Sequence, residues 1–312
     1  MSLERALELA ERGRGTTRPN PVVGAVVVRD GSVVGEGWHK RKGGPHAEVF
    51  ALRAAGERAH GATLYVTMEP CAHHGSTAPC TEAVIAAGIA KVVVGSRDPN
   101  PEAAGGLEVL GAAGVEVEDA GSFAARAQNE AWRTWISEQR PFVILKLALT
   151  LDGRVAVAGE RWISGEESRR YVHRLRAQVD AVAVGMGTVR ADDPQLTARD
   201  VGTERQPRRL AFGRGPLPVG SELELRSGGL EQELAALAAE GVQSLLLEGG
   251  PMLAESFLRA GLVDKLLLFV APRLGGAGPA FAPHLDAAVP LRRMTSEPSG
   301  RDVLLSAYVH EP

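Results

Sequence analysis

The stretches that decide the fold read HAEVFALRAAG, from His46 to Gly56, and MEPCAHHGSTAPC, from Met68 to Cys80. The second contains both cysteines of the chain, Cys71 and Cys80. Zinc(II) takes imidazole nitrogen and thiolate sulfur in a tetrahedral shell, and a catalytic site supplies three protein ligands so that water can take the fourth position. His46, Cys71 and Cys80 make three. Glu48, two residues beyond the histidine, is not needed to hold metal and is placed to carry a proton between water and a substrate.

This combination follows the chemistry of zinc nucleobase deaminases, in which a glutamate that does not bind metal moves the proton. Two cysteines nine positions apart admit other readings, a disulfide or separate buried thiols. No N-terminal segment is apolar in the manner of a signal, and no run approaches the roughly 20 apolar residues of a membrane span. A reducing cytoplasmic setting, without membrane attachment, is therefore expected, and it disfavours the disulfide. A closed structural zinc site needs a fourth ligand, which His73 or His74 between the cysteines could supply.

At 312 residues and 44% hydrophobic content the chain can bury a large core and most naturally makes two domains. Its formal net charge is -3, and its thirty arginines and five lysines are scattered among acids. No basic block or basic aromatic stripe marks a nucleic-acid binder, so no nucleic-acid partner is expected. The partner implied is a small molecule.

Ser2 ahead of Leu3, Ala6, Leu7 and Ala10 gives helical spacing with Ser2 as N-cap. Strands are predicted over 22–28 and 33–38, with Asp30-Gly31 as the hairpin turn. The alanine-rich stretch 47–59 reads as a helix starting at the His46-Glu48 triplet, 63–67 as a short strand, and 80–87 as a helix starting at Cys80. Ligands at helix starts suit thiolate over thiol. Further strands at 92–94 and 115–117 complete an alternating α/β pattern. A helix over 123–138 then ends at Arg140-Pro141, where the apolar strand 142–150 begins, and a domain boundary is expected there.

HAEVFALRAAG with ATLYVTMEPCAHHGSTAPCTEAVIAAGI resembles the deaminase half of the bifunctional deaminase/reductase family of riboflavin biosynthesis. The general deaminase signature closes Pro-Cys-x-x-Cys, whereas eight residues separate Cys71 from Cys80 here, a longer loop that is usual in that family. Members more often carry Ser at the position of Ala72 and Pro at that of Ala78; neither change removes a ligand. By this resemblance Asn20, His39 and His73 line the pyrimidine pocket, and the substrate is a diaminopyrimidinone ribosyl phosphate. Read without it, Asn20 is equally a turn former before Pro21.

PFVILKLALTLDGRVA from Pro141, the run from WIS at Trp162 to TAR at Arg199, and LLLEGGPMLAESF from Leu245 resemble the reductase half of the same family. The resemblance implies an α/β protein with a cytidine-deaminase-like three-layer domain over residues 1–140 and a dihydrofolate-reductase-like domain over 141–312. It implies zinc in the first and NADPH in the second. Spacing alone gives only a strand at 182–184 leading into Gly185-Met186-Gly187-Thr188, and one at 245–247 leading into Glu248-Gly249-Gly250-Pro251. Such turns accept phosphate of many kinds, and neither is a GxGxxG fingerprint.

Carried over by position, the cofactor contacts are Trp162, Thr188, Asp192, Gly250, Pro251, Met252, Leu253, Ala254, Glu255 and Ser256. Arg176, Leu196 and Arg199 meet the ribose phosphate, and Glu248 faces the reacting sugar. Lys146 reads either as a further charge there or as a strand lysine at a solvent edge. Two departures stand out. Where the family has Asp followed by Ser or Thr, this chain reads Ala211-Phe212-Gly213-Arg214, and the segment 216–229 is compressed, losing much of a strand. Alternatives are thus an active deaminase joined to a degenerate reductase domain, or a zinc deaminase of another base. The apolar strand 266–270 could pair within a sheet or across subunits, and a homo-oligomer is expected.

Overall fold

The computed structural model describes residues 2–74, 78–203, 205–282 and 284–312; within the cysteine loop, Gly75, Ser76 and Thr77 lie outside the described residues. The chain forms two compact units, Met1–Ser137 with Pro312, and Glu138–Glu311.

The first unit is built on a five-stranded sheet. In chain order its elements are α1 (Ser2–Glu11), β1 (Gly24–Arg29), β2 (Ser32–Trp38), α2 (Ala47–Ala55), β3 (Thr63–Val66), α3 (Cys80–Ala86), β4 (Lys91–Val94), α4 (Gly106–Ala112), β5 (Glu116–Asp119), α5 (Phe123–Gln128) and α6 (Glu130–Glu138). The strand order is β2-β1-β3-β4-β5. β1 pairs antiparallel with β2 and β3, and β3, β4 and β5 run parallel. Alternate residues of β1 face opposite ways: Ala25 and Val27 join Ala51, Ala55, Val84 and Leu110 on one face, while Val26 joins Ala6 and Leu9 of α1 on the other. The result is the three-layer arrangement expected of a cytidine-deaminase-like domain.

Gly35 and Gly37 bring α2 unusually close to β2. A Cβ on Gly37 would lie 2.4 Å from the Ala47 carbonyl oxygen, and one on Gly35 would lie 2.2 Å from that of Ala51. With alanines on the helix side, backbone meets backbone, and the first turn of α2 is held at a fixed height above the sheet.

Several boundaries differ from the sequence reading, for physical reasons. Ser2 is already helical. The helix from Ala47 stops at Ala55, because Gly56 turns left-handed at φ 56°, and 56–59 continue as a 3-10 turn. The helix expected over 123–138 is two, broken at Asn129. The Asn129 amide pairs with Val22 in both directions, accepting from its N–H and donating to its carbonyl, each at 2.9 Å. That same pair takes Val22 out of the sheet, so β1 starts at Gly24 instead of Val22.

The second unit holds an eight-stranded sheet. Its elements are β6 (Phe142–Thr150), α7 (Glu166–Gln178), β7 (Ala181–Gly185), α8 (Met186–Asp192), β8 (Arg208–Phe212), β9 (Glu224–Arg226), α9 (Leu230–Ala239), β10 (Ser244–Leu247), α10 (Pro251–Arg259), β11 (Lys265–Ala271), β12 (Arg292–Ser299) and β13 (Asp302–Tyr308). The order is β12-β13-β11-β6-β10-β7-β8-β9. The six strands from β11 to β9 in that order are parallel, and the β12–β13 hairpin closes the other end antiparallel. A parallel sheet is covered on both faces, which explains the largely apolar sequences of β6, interrupted at Lys146, and of β10. Val143, Leu145, Leu147, Leu245 and Leu247 pack with Leu234, Leu237 and Phe257 into the main core.

The 266–270 segment pairs within this sheet, between β6 and β13. Of the compressed 216–229 region only the three-residue β9 remains as strand. Lys146 is not at a solvent edge: β6 is interior, with β10 and β11 on its two sides, and the lysine is largely buried. Among the described residues no helix is long and apolar enough to cross a membrane.

Candidate active sites

In the first unit, His46 is the N-cap of α2, Cys80 the first residue of α3, and Cys71 lies in the loop after β3. His46 Nδ1 stands 3.2 Å from Cys80 Sγ and 3.6 Å from Cys71 Sγ, and all three donor atoms lie within 4.8 Å of one another. Neither cysteine is in a disulfide. The Cys80 N–H also donates to Cys71 Sγ at 3.4 Å.

The charge states agree with a metal-binding trio. The Cys71 thiol is pulled down to about 4, chiefly by the hydrogen bond from Cys80 and then by His46 against the opposing effect of burial. Cys80, the donor of that pair, is pushed up by the same bond and by burial. Of the two sulfurs, Cys71 is the one whose hydrogen bonds favour thiolate. Among the described residues a nitrogen and two sulfurs converge with no fourth ligand, the donor set of an open zinc site. Among the described residues neither candidate for a fourth ligand joins the trio: His74 pairs with Glu82 at 3.2 Å, and His73 is exposed at the cavity rim.

Glu48 sits on the first turn of α2, 3% exposed, with Oε2 lacking any hydrogen-bond partner. Burial pushes its carboxyl above the ordinary range. A cavity of about 400 Å³ opens in front of it, lined by Asn20, His39, His46, Glu48, Cys71 and His73 among others. The structure therefore brings together on one cavity all the first-half residues singled out by sequence except Cys80, which completes the metal trio just behind. His39 is buried edge-on to His46, with ring centroids 5.3 Å apart. Its Nδ1 lies 3.1 Å from the Pro45 carbonyl and must donate to it, so Nε2, which has no partner, is left as an acceptor. Burial lowers its pKa and keeps the ring neutral.

The sequence reading missed Asp98, Asn100, Trp132 and Trp135, which also line the cavity. A signal existed. The chain has only three asparagines: Asn20 and Asn100 lie in its two Pro-Asn-Pro triplets, and Asn129 clamps Val22 beside the first of them. Asp98 accepts from the Asn100 N–H at 2.8 Å, and burial raises its carboxyl to about 6.

In the second unit, Glu248 follows β10 and is nearly buried. Arg176 of α7 forks onto it at 2.6 and 3.0 Å, and Lys146 Nζ lies 3.6 Å away. Burial works against the carboxylate, and the charges of Lys146 and Arg176 outweigh it, holding Glu248 below the ordinary range. Lys146 is lowered, chiefly by burial. Arg176 also donates to the Thr197 carbonyl at 3.1 Å, which ties it to the segment holding Leu196 and Arg199. Leu196 is buried with φ 53°, and Arg199 is exposed against Gln195.

The turns after β7 and β10 meet: a Cβ on Gly250 would lie 3.5 Å from Thr188 Oγ1, while nothing stands within 4 Å of one on Gly187. Gly250 caps α10 without a side-chain bond, leaving the N–H groups of that first turn without a capping side chain. Open space over glycine, a hydroxyl and uncapped N–H groups fit the phosphates of a dinucleotide. Trp162 is exposed under Arg161 and Arg169, and Met252 is exposed on α10. Ala254 is turned into the core, Glu255 accepts from the His284 N–H, and Ser256 bonds back to Met252, so their side chains are engaged within the unit.

Comparison with known proteins agrees with these two sites. Residues 2–96 match the cytidine and deoxycytidylate deaminase zinc-binding region, and residues 141–305 match the RibD C-terminal domain. Riboflavin biosynthesis protein RibD of Aquifex aeolicus is 40% identical, over 97% of this chain and 96% of that protein. RibD of Escherichia coli is 42% identical over 88% of each. Among solved structures, Acinetobacter baumannii RibD aligns with a TM-score of 0.84 at 36% identity, covering 98% of this chain and 97% of that one. A diaminohydroxyphosphoribosylaminopyrimidine deaminase/5-amino-6-(5-phosphoribosylamino)uracil reductase of Thermotoga maritima aligns at 0.81 and 35%, with the same coverage. With relatives this similar along nearly its whole length, the chain belongs to the RibD family of bifunctional deaminase/reductases of riboflavin biosynthesis.

Proposed function

We propose that residues 1–140 deaminate a diaminopyrimidinone ribosyl phosphate with zinc and that residues 141–312 then reduce its ribosyl side chain to ribityl with NADPH. The observation that carries the first step is Glu48: a buried carboxyl with a free oxygen beside an open three-ligand trio. Zinc held by His46, Cys71 and Cys80 supplies Lewis acidity and makes water a nucleophile near neutral pH. Glu48 Oε2 would accept one proton of the attacking water and pass it to the ring nitrogen, then take the remaining proton of the water-derived oxygen as the carbonyl forms and hand it to the amino group, which leaves as ammonia. His39 Nε2, an acceptor fixed by the Pro45 carbonyl, reads an N–H of the base, and Asn20 and Asn100 offer both donors and acceptors to its edge.

For the second step the turns around Thr188 and Gly250 would hold NADPH, which would supply hydride for the sugar carbon, and the chain contributes position and charge. Glu248, held by Arg176 and Lys146, faces the sugar, and the cluster's excess of one positive charge suits a phosphate ester. Lys146 Nζ, whose proton burial loosens, is the acid in reach of the sugar oxygen. We also expect a homo-oligomer, supported by the exposed edge strand β12 with Met294 outward, and checked by light scattering.

The test is Glu48→Gln, with zinc content measured alongside ammonia release. Zinc should stay near one equivalent while deamination falls by about 10²- to 10⁴-fold. Undiminished deamination with zinc bound removes Glu48 from the chemistry.

A further inference from the structure

We infer that His173 is a positioning residue of the reductase site: by pinning the backbone of residues 197–199 to α7, it fixes where Arg199 stands for the substrate's phosphate. The inference rests on the reading in which Arg176, Leu196 and Arg199 meet that phosphate. His173 and Arg176 lie three residues apart on α7 and so share one face of the helix. Arg176 forks onto Glu248 and also donates to the Thr197 carbonyl at 3.1 Å.

The segment that these two residues face does not hold its own shape. Asp193, Leu196 and Asp200 take φ 39°, 53° and 59°, the left-handed region unfavourable to any residue with a side chain, and Leu196 does so while buried. Such a backbone persists only where its neighbours over-determine it. Gln206 clamps Ala198, accepting from its N–H at 2.8 Å and donating to its carbonyl at 2.9 Å. From α7, His173 holds the residues on either side of Ala198: its Nδ1 lies 3.1 Å from the Thr197 carbonyl and 3.3 Å from the Arg199 nitrogen. Burial, and then the charge of Arg176, lower its pKa and keep the ring neutral at pH 7. A neutral imidazole meets one of the two groups in either tautomer, donating to the carbonyl with the proton on Nδ1 or accepting from the N–H with the proton on Nε2. Arg176 already serves the Thr197 carbonyl, and the Arg199 N–H has no other partner among the described residues, so the accepting tautomer leaves neither group unmet. Thr197 Oγ1 is buried without a partner among the described residues, and the tie to α7 therefore runs through the segment's main chain. Arg199's own guanidinium reaches Gln195 Oε1 at 3.1 Å within the same segment, so its place follows that of the backbone beneath it.

Steady-state reduction by the full-length zinc-loaded protein tests this, with NADPH oxidation followed for the deaminated ribosyl phosphate and for the same compound without its phosphate. Arg199→Ala should raise KM for the phosphorylated compound alone. His173→Ala should raise that KM by about five- to tenfold, the effect of one lost hydrogen bond, and lower kcat less. KM for NADPH and for the phosphate-free compound should stay as in wild type. His173→Asn, whose amide offers a donor and an acceptor at similar reach, should recover most of the loss. Combining His173→Ala with Arg199→Ala should be no worse than Arg199→Ala alone, because the brace has nothing to place once the arginine is gone. Both compounds are read on one preparation, so a partly unfolded variant lowers kcat for each and does not imitate a phosphate-specific rise in KM. An unchanged KM in His173→Ala, an equal rise for both compounds or for NADPH, or additive losses in the double variant overturns the inference. If wild type reduces neither compound, or Arg199→Ala leaves KM for the phosphorylated one unchanged, the reading of the phosphate contacts falls and takes the inference with it.

Discussion

Glu48 and Asp98 share one cavity, and burial raises both carboxyls. Asp98 reaches about 6 from an ordinary 3.8. Below 3.8 it is neutral whether the chain is folded or not; between 3.8 and 6 the unfolded chain gives up the proton while the folded one keeps it, so stability falls as pH rises, and above 6 the full penalty stands. That penalty is at most about 3 kcal/mol, lessened by the solvent that reaches this partly buried group. Asp98→Asn should therefore stabilise the chelator-treated protein at pH 7 and leave it nearly unchanged below pH 4, as followed by urea midpoints; a gain of equal size at both pH values removes this account. Sequence spacing was enough to single out His46 and Glu48 because the two stand on one helical turn. Asp98, Trp132 and Trp135 were hidden from it because they reach the cavity from a loop and a helix far along the chain, and only tertiary packing unites them.

The hairpin turn, the strands β3, β4 and β5 and the strand from Phe142 were legible because turn residues and β-branched runs declare themselves locally. The break between α5 and α6 was not, since its cause is a reciprocal pair of hydrogen bonds between Asn129 and Val22, more than a hundred positions away. Lys146 stays open between a site charge and an edge lysine in the sequence for a similar reason: what decides between them is Glu248, a residue from another strand's end. The close approach of α2 to β2 makes the metal trio depend on a residue with no side chain. Gly37→Ala would drive a methyl group into the Ala47 and Ala51 backbone, 2.4 and 2.6 Å away. Overpacking of this kind costs about 1–3 kcal/mol. Because Ala47 adjoins His46, zinc retention against a chelator should fall together with the melting temperature. A variant that melts lower yet holds zinc as wild type does would uncouple the helix from the site.

Each unit has its own core, one around Leu64 and Val92 and one around Leu145 and Leu245. Ligands that bind only the folded form of one unit should stabilise that unit alone. Differential scanning calorimetry should accordingly resolve two transitions, with a chelator lowering one and NADP⁺ raising the other. A single transition moved by both ligands would mean that the two cores melt as one. The order of the two halves and their α/β character were readable from sequence, and His46, Cys71 and Cys80, which the sequence singles out, converge in the structure, whereas the pairing of the strands is set by tertiary contacts.

The two Pro-Asn-Pro triplets carry one more consequence, for the lifetime of the protein. An asparagine ages when the backbone nitrogen of the next residue attacks its side-chain amide, closing a succinimide ring that reopens as aspartate or isoaspartate. Proline has no N–H to give up for that attack. Asn20 and Asn100, the two amides at the cavity wall, are each followed by proline. Asn129, followed by Glu130, has no such protection from its neighbour and is instead held by both of its bonds to Val22. The cavity thus keeps its amides uncharged over long service, because each is followed by a residue unable to begin the reaction that would destroy it.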